Sequence, residues 1–175
     1  MLNLSFIYYP IYVKNVDVSD IEAIFDMLNK DDSVSNMLEK KSISIQKLRL
    51  RFLEYFISDD EFFLKIQYVS KIIGIVKGRI NFEDSSAWIS LFYVENDHRK
   101  RGIGKFVYSE IESILFNKFR IKSVSISIMH NAYEELIFWE KLGFCINRIV
   151  NNFYEYHNQK IPMIKLNKKI NLIAH

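Results

Sequence analysis

"FYVENDHRKRGIGKF", Phe92 to Phe106, decides how this chain is read. An apolar run gives way to a crowd of charges, and the charges run into two closely spaced glycines, Gly102 and Gly104. Arg99, Lys100 and Arg101 repel one another, and glycine at a helix start gives up backbone stability. The arrangement makes sense if something anionic sits there. The first amides of a helix lack intrahelical partners, and the helix dipole makes that end partly positive. Gly102 and Gly104 would let a bulky anion reach those amides, while Arg99, Arg101 and Lys105 add charge. The spacing is not that of a Walker A loop. Nor is it a dinucleotide-binding G-x-G-x-x-G, because residue 107 is Val107. Taken alone, these residues also read as a solvated basic turn with a glycine cap.

Working outward, "SAWISLFYV" (Ser86 to Val94) is an almost continuous apolar run, the pattern of a central strand covered on both faces. After the glycines, Ile103, Val107, Ile111, Ile114 and Leu115 mark a helix to about Phe119. "SVSISI" (Ser123 to Ile128) alternates as a strand does. "NAYEELIFWEKLG" reads as a helix that Gly143 ends as a left-handed cap. "FCINRIVNNFYEYHN" and "QKIPMIKLNKK" form a final pair of strands joined near Asn158. Upstream, "EFFLKIQYVS" and "KIIGIVKGRINFE" read as a hairpin turning near Ser70 and Lys71. Earlier still, "PIYVKNV" (Pro10 to Val16) is a strand. In "DVSDIEAIFDMLNK", Ile21, Ile24, Phe25 and Leu28 share a helical face, capped by Ser19 or Asp20. A second amphipathic helix, Ser44 to Ser58, carries Ile45, Leu48, Phe52 and Phe56. The polar segment "NKDDSVSNMLEKKS" lies between these two helices. The order β, α, α, β, β, β, α, β, α, β, β predicts an α/β (α+β) fold, a mixed sheet with helices on both faces.

The 175 residues suit one domain, 1–175. A net charge of +3 is too mild to argue for nucleic acid. The single cysteine, Cys145, excludes an internal disulfide and a cysteine-based zinc site, and fits a reducing, cytoplasmic compartment. The four histidines show no H-x-x-x-H pair, so no metal is expected. The N-terminus lacks the basic region and cleavage site of a signal peptide, and no run approaches the ~18 apolar residues of a membrane span. Heavy use of Asn, Ile and Lys fits an AT-rich genome.

"R-K-R-G-I-G" matches the R/Q-x-x-G-x-G/A signature of the GNAT N-acetyltransferase superfamily. "FYV" resembles the L-Y-V that closes that family's fourth strand, and "FWEKLGF" (Phe138 to Phe144) resembles the F-Y-E-K-L-G-F that ends its last helix. The order of elements resembles the family's from about residue 10 to 168; the motifs lie in the C-terminal half. The resemblance implies a mixed sheet of about six or seven strands flanked by about four helices. It also implies acetyl-CoA as co-substrate, bound without a metal, its pyrophosphate wrapped by the signature loop. Arg99, Gly102 and Gly104 fall on the three signature positions, and Lys100, Arg101, Ile103 and Lys105 lie in the same loop. The family's fourth strand is bulged, splays from the fifth, and pairs its backbone with the pantetheine arm; Phe92 and Val94 match the pairing positions. Asn131 answers to a cofactor-binding Asn of the family, one residue outside the usual spacing.

The chemistry needs a held thioester, a donor for the developing oxyanion, a route for the amine's proton and a proton for the leaving thiolate. Here the chain departs from the family pattern. The tyrosine that commonly protonates the thiolate is replaced by Trp139, whose indole only donates and is not an acid near neutral pH. Trp139 therefore reads as packing or as a pocket wall. Trp88 and Ser90, inward positions of the fourth-strand equivalent, are not bases. Glu83 and Asp84, just before that strand, could act through water or belong to a solvated turn. Tyr133 could reach the thiolate, but its phase with Leu136 and Ile137 predicts burial. His98 and His130 read as solvated loop residues. Cys145 reads as a buried inert thiol, so direct attack on the thioester is expected over an acyl-enzyme.

The resemblance implies an amine acceptor, of a small molecule or a peptide. The family builds its acceptor side from the first two helices, their connection and the last two strands. Asp31, Asp32 and Glu39 in the connection could draw a cationic amine, though Lys40 and Lys41 mix the field. Phe153, Tyr154 and Tyr156 could form an aromatic wall or cover a homodimer interface. The competing readings are a non-catalytic acyl-CoA-binding or regulatory module and a basic nucleic-acid binder.

Overall fold

A computed structural model describes residues 1–30, 44–156 and 159–170, with the side chains of 152–161 left aside. The sheet has eight strands in the order β1-β2-β3-β4-β5-β6-β8-β7. They are β1 (Phe6–Tyr8), β2 (Ile11–Asn15), β3 (Glu61–Tyr68), β4 (Lys71–Asn81), β5 (Ser86–Val94), β6 (Ser123–Met129), β7 (Cys145–Tyr156) and β8 (Gln159–Lys169). β5 and β6 run parallel; every other neighbouring pair is antiparallel. The count exceeds the six or seven expected, and β1 is the strand the sequence order omitted. It is three residues long, and Ile7 and Tyr8 both face solvent, so no alternation betrays it.

Helices α1 (Ile21–Lys30) and α2 (Ile45–Ile57) cover one face of the sheet; α3 (Ile103–Asn117) and α4 (Tyr133–Lys141) cover the other. Asp17, rather than Ser19 or Asp20, caps the turn that leads into α1: its carboxylate accepts from the Ser19 amide, and Asp20 returns a bond to the Asp17 amide. Ser44 caps α2 by accepting from the Lys47 amide. In α2 the apolar stripe is Leu48, Phe52 and Tyr55; Phe56, expected inside, is exposed. Gly143 ends α4 at φ +88, as its place in the sequence requires.

The first core joins Ile21, Ile24, Leu28, Phe52, Tyr55 and Tyr93 beneath α1 and α2. The second, larger core joins Val76, Ile89, Val107, Ile111, Trp139 and Leu166 beneath α3 and α4. β5 contributes to both because its side-chain alternation changes phase. Lys77 stands opposite Leu91 while Gly78 stands opposite Ile89, which leaves Ser90 as the extra residue of a bulge. Ala87 and Ile89 pack toward α3 before the bulge, and Phe92 and Val94 do so after it, while Leu91 and Tyr93 turn toward α1 and α2. Gly78 makes room for this. A Cβ there would collide with the Phe62 ring and lie 2.6 Å from the Trp88 carbonyl oxygen.

Candidate cofactor and active site

The β5–β6 ladder is short. It runs from Ser86–Ser123 to Ile89–Ile126 and stops. Beyond that point β6 continues against β8 to Met129, and β5 continues against β4 to Val94. The two parallel strands therefore diverge from the bulge onward, and from Ser90 to Val94 the β6-facing edge of β5 has no ladder partner. An extended chain of polar groups can add itself to such an edge, as a peptide does in strand addition.

At the top of this opening lies the glycine loop. Beyond β5 a single 3-10 turn (Asn96–His98) is closed by the Arg99 amide donating to Asn96. Lys100 (φ 60) and Gly102 (φ 83) then adopt left-handed backbone on either side of Arg101. Alternation of this kind turns successive amides toward a common concavity that suits anions. The first amide of α3 with a partner is that of Phe106, which donates to Gly102 at 3.0 Å. Those of Gly102, Ile103, Gly104 and Lys105 have none among the described residues. No atom lies within 4 Å of where a Gly102 Cβ would stand, so the approach to them is open. Gly104 serves differently: its missing Cβ would sit 3.3 Å from Phe138 Cζ and 3.7 Å from Phe92 Cε1. The loop thus has the open amides and the clearance that a pyrophosphate group needs.

The loop's side chains divide. Arg99 folds back, its Nε donating to Val94 O at 2.7 Å and its guanidinium lying 5.4 Å from the Tyr93 ring centre. It ties the loop to the end of β5. Lys100 pairs with Glu134 of α4 at 3.1 Å. Arg101 and Lys105 are exposed and form no ion pair among the described residues, so theirs is the charge free to meet an anion. Glu135, near Arg99, is an exposed residue whose carboxyl pKa is nevertheless raised, because neighbouring protein displaces water from it; the Arg99 charge pulls the other way.

Beneath the opening, Trp139 is 5% exposed and meets the rings of Phe92, Phe138, Tyr108 and Phe144 at 5.0–5.4 Å. Tyr108 is buried, and its hydroxyl donates to Glu112, which Lys168 also binds. Burial drives the Tyr108 pKa far up, with Glu112 adding to the rise, so Tyr108 is no proton donor to a thiolate. Tyr133, expected to be buried, is 67% exposed at the first turn of α4. Asn131, in the turn between β6 and α4, is exposed as well.

Other expectations land elsewhere. Glu83 sits in the exposed β4–β5 turn, at the far end of β5 from the loop. Cys145 is exposed rather than buried, since it opens the edge strand β7. Its register partner Asn167 stands opposite Ser125, level with Trp88, so Cys145 lies three strands from β5 and outside the opening. His98 is half-buried, not solvated: it lies 5.9 Å from the Tyr68 ring, with Nδ1 3.6 Å from Glu95. Trp88 and Ser90, expected inward, are exposed on the α2 side of the bulge. The residues from Asp31 to Lys41 and the side chains of Phe153, Tyr154 and Tyr156 lie outside the described part. Sequence reasoning passed over Arg51, Glu61, Lys77 and Arg79, which meet beside Trp88 and Ser90. They come from α2, β3 and β4, and no local spacing unites them.

A family model for the acetyltransferase (GNAT) domain matches residues 13–164. The chain belongs to the GNAT acetyltransferase family. No curated protein matches it. Among solved structures it is similar to the spermidine N-acetyltransferase of Vibrio cholerae in complex with CoA and spermine, with 13% identity over 93% of this chain and 96% of that one, and a TM-score of 0.80. It is similar to the microcin C7 self-immunity acetyltransferase MccE in complex with acetyl-CoA and AMP, with 13% identity, coverage of 93% and 94%, and a TM-score of 0.79. The ribosomal-protein-S18-alanine N-acetyltransferase of Escherichia coli gives 13% identity, coverage of 94% and 97%, and a TM-score of 0.73. Likeness at this identity establishes a common fold. Among the described residues no helix is long and apolar enough to cross a membrane.

Proposed function

We propose that this chain is an acetyl-CoA-dependent N-acetyltransferase, a single domain over residues 1–175, that passes acetyl to an amine of a small molecule or peptide by direct attack. The observation that carries the reading is the run of amides from Gly102 to Lys105, unpaired among the described residues, at the end of β5 where it diverges from β6. In this reading the loop amides, with Arg101, Lys105 and the Lys100 and Ile103 backbone around them, hold the pyrophosphate. Arg99 keeps the loop against β5 through Val94 O. The β5 edge at Phe92 and Val94 aligns the pantetheine arm, and Asn131 flanks it from the β6 side. A β5 amide near the bulge donates to the thioester oxygen, where donation is worth most as charge develops. The amine nitrogen bonds to the acetyl carbon as the carbon–sulfur bond breaks, and the proton it sheds passes to water. Trp139 supplies packing, and water, or Tyr133 from its exposed position, returns a proton to the thiolate. The lone thiol fits a reducing cytoplasm. The solved relatives that act on spermidine or on a ribosomal protein keep both acceptor classes in view.

A second reading, an acyl-CoA-binding module without turnover, draws support from the buried indole at Trp139 and from the distance of Glu83. One experiment separates the readings. Calorimetry of the folded protein with acetyl-CoA and with CoA should give saturable binding, and thiol release with a panel of amines should then follow. Binding without release under any amine favours the module; no uptake of either nucleotide removes both.

A further inference from the structure

We propose that the acceptor carries a negative charge, a carboxylate or a phosphate, beside its reacting amine, and that Arg51, Lys77 and Arg79 select for it. The inference rests on the acetyl-transfer reading above and deepens it. A cavity of about 260 Å³ lies on the α2 face of the sheet. Its walls are Arg51 of α2, Glu61 of β3, Lys77 and Arg79 of β4, and Trp88 and Ser90 of β5. Ser90 is the bulge residue, and the neighbouring Ile89 makes the last β5–β6 pair. The cavity therefore opens where the unpaired β5 edge begins. A pantetheine arm aligned along Val94 and Phe92 from the loop would end at that level.

The charges around the cavity do not cancel. Its one carboxylate, Glu61, has only 14% of its side chain exposed and is already bound by Arg79 at 2.5 Å and by Lys77 at 3.3 Å. Arg79 also meets Asp60 at 3.4 Å. Arg51 is exposed and has no ion pair among the described residues. With Asp60 counted, three cations stand against two carboxylates among the described residues, and the positive charge left over is that of Arg51. Trp88, 46% exposed on the same wall, adds an apolar plate for the body of a small molecule. A polycationic amine would meet like charge here. An amine with an anionic group can place that group on the guanidinium of Arg51, which binds carboxylate and phosphate in a bidentate manner. A second cavity, about 440 Å³, lies along α1 by the β3–β4 turn and does not reach Ser90.

The test uses propylamine, β-alanine, 2-aminoethyl phosphate and spermidine. Each is measured by acetyl-CoA-dependent thiol release and by calorimetric binding to the whole protein with and without CoA. One of the two anionic amines should be favoured over propylamine and over spermidine by roughly tenfold in kcat/KM, or in Kd where turnover is absent. The order of the two tells carboxylate from phosphate. The preference should shrink at high salt. Arg51→Gln should lower it about threefold, Arg51→Glu should abolish it, and Arg51→Lys, which keeps the charge but loses the bidentate fork, should retain only part of it. All three variants should take up CoA as the native protein does, which also certifies their fold. A preference for propylamine or spermidine, or an anion preference untouched in Arg51→Glu, overturns the proposal while CoA uptake stands. Failure of CoA uptake overturns the acetyl-transfer reading, and the binding ratios without CoA then decide the charge selectivity by themselves.

Discussion

Gly102 and Gly104 are spaced like a single motif but are glycine for separate reasons, and substitution should tell them apart. Gly102 holds φ +83 in open space, whereas Gly104 lies against Phe138 and Phe92. Valine at 102 would be strained by about 1–2 kcal/mol in a left-handed backbone and would stand its methyls over the open amides. Valine at 104 would press on rings that continue into the Trp139 cluster. We therefore expect Gly102→Val to weaken acetyl-CoA binding by roughly tenfold or more with a modest fall in Tm. Gly104→Val should lose both affinity and several degrees of Tm. Calorimetry and a thermal melt on each variant check this, and an unaltered Kd in both would remove the loop from the cofactor site. The sequence made the pair legible because strand, basic loop and helix start are contiguous. It did not reveal that Arg99 turns back on Val94 O, since a side chain's direction depends on which backbone carbonyls lack donors in the folded chain. Tyr133 was misread for a related reason. It stands in the first turn of α4, where helical phase predicts burial only if the helix start itself is covered.

At the scale of elements, periodic segments were readable and irregular ones were not. The alternation of Ser123 to Ile128 and the helical faces of α1 and α3 gave β6 and the two helices almost to their ends. The β5 bulge was expected only through the family resemblance and left no trace in the periodicity, because "SAWISLFYV" is apolar on both faces and a change of phase cannot be seen in a pattern without phase. Yet that bulge ends the β5–β6 pairing level with Ile89 and sends Tyr93 to one core and Phe92 to the other. Gly78 is its counterpart on β4. Gly78→Ala should cost about 1–3 kcal/mol of stability, since the added methyl meets both the Phe62 ring and the Trp88 carbonyl. It should also lower thiol release beyond what the stability loss explains, because the bulge must shift to relieve the clash. Denaturant unfolding beside single-turnover thiol release measures the two effects. A loss of stability with unchanged release would mean that the bulge sets packing but not the site.

At the scale of the molecule, the sheet is continuous from β1 to β7, and its parallel neighbours β5 and β6 diverge after four register pairs, just before the loop that leads into α3. Helices pack both faces, so this divergence and the α3 start above it form a local region whose backbone has no ladder partner among the described residues, in contrast to the long β3–β4 ladder. Amide hydrogen exchange responds to that contrast. In the free protein, the amides of Gly102 to Lys105 and the β6-facing amides of Phe92 and Val94 should exchange quickly, because no carbonyl among the described residues holds them. The β3–β4 amides, paired through Glu61–Arg79 to Tyr68–Lys71, should exchange slowly. Saturating CoA should slow the first group by roughly tenfold or more, as expected when a ligand takes over hydrogen bonds that water had supplied. The β3–β4 amides should change only by the general stabilisation that any ligand of the native state confers. Protection confined to α2, or to the edge strands β1 and β7, would place the nucleotide on another surface. The family membership would stand, but the loop and the β5 edge would lose their assigned part in binding.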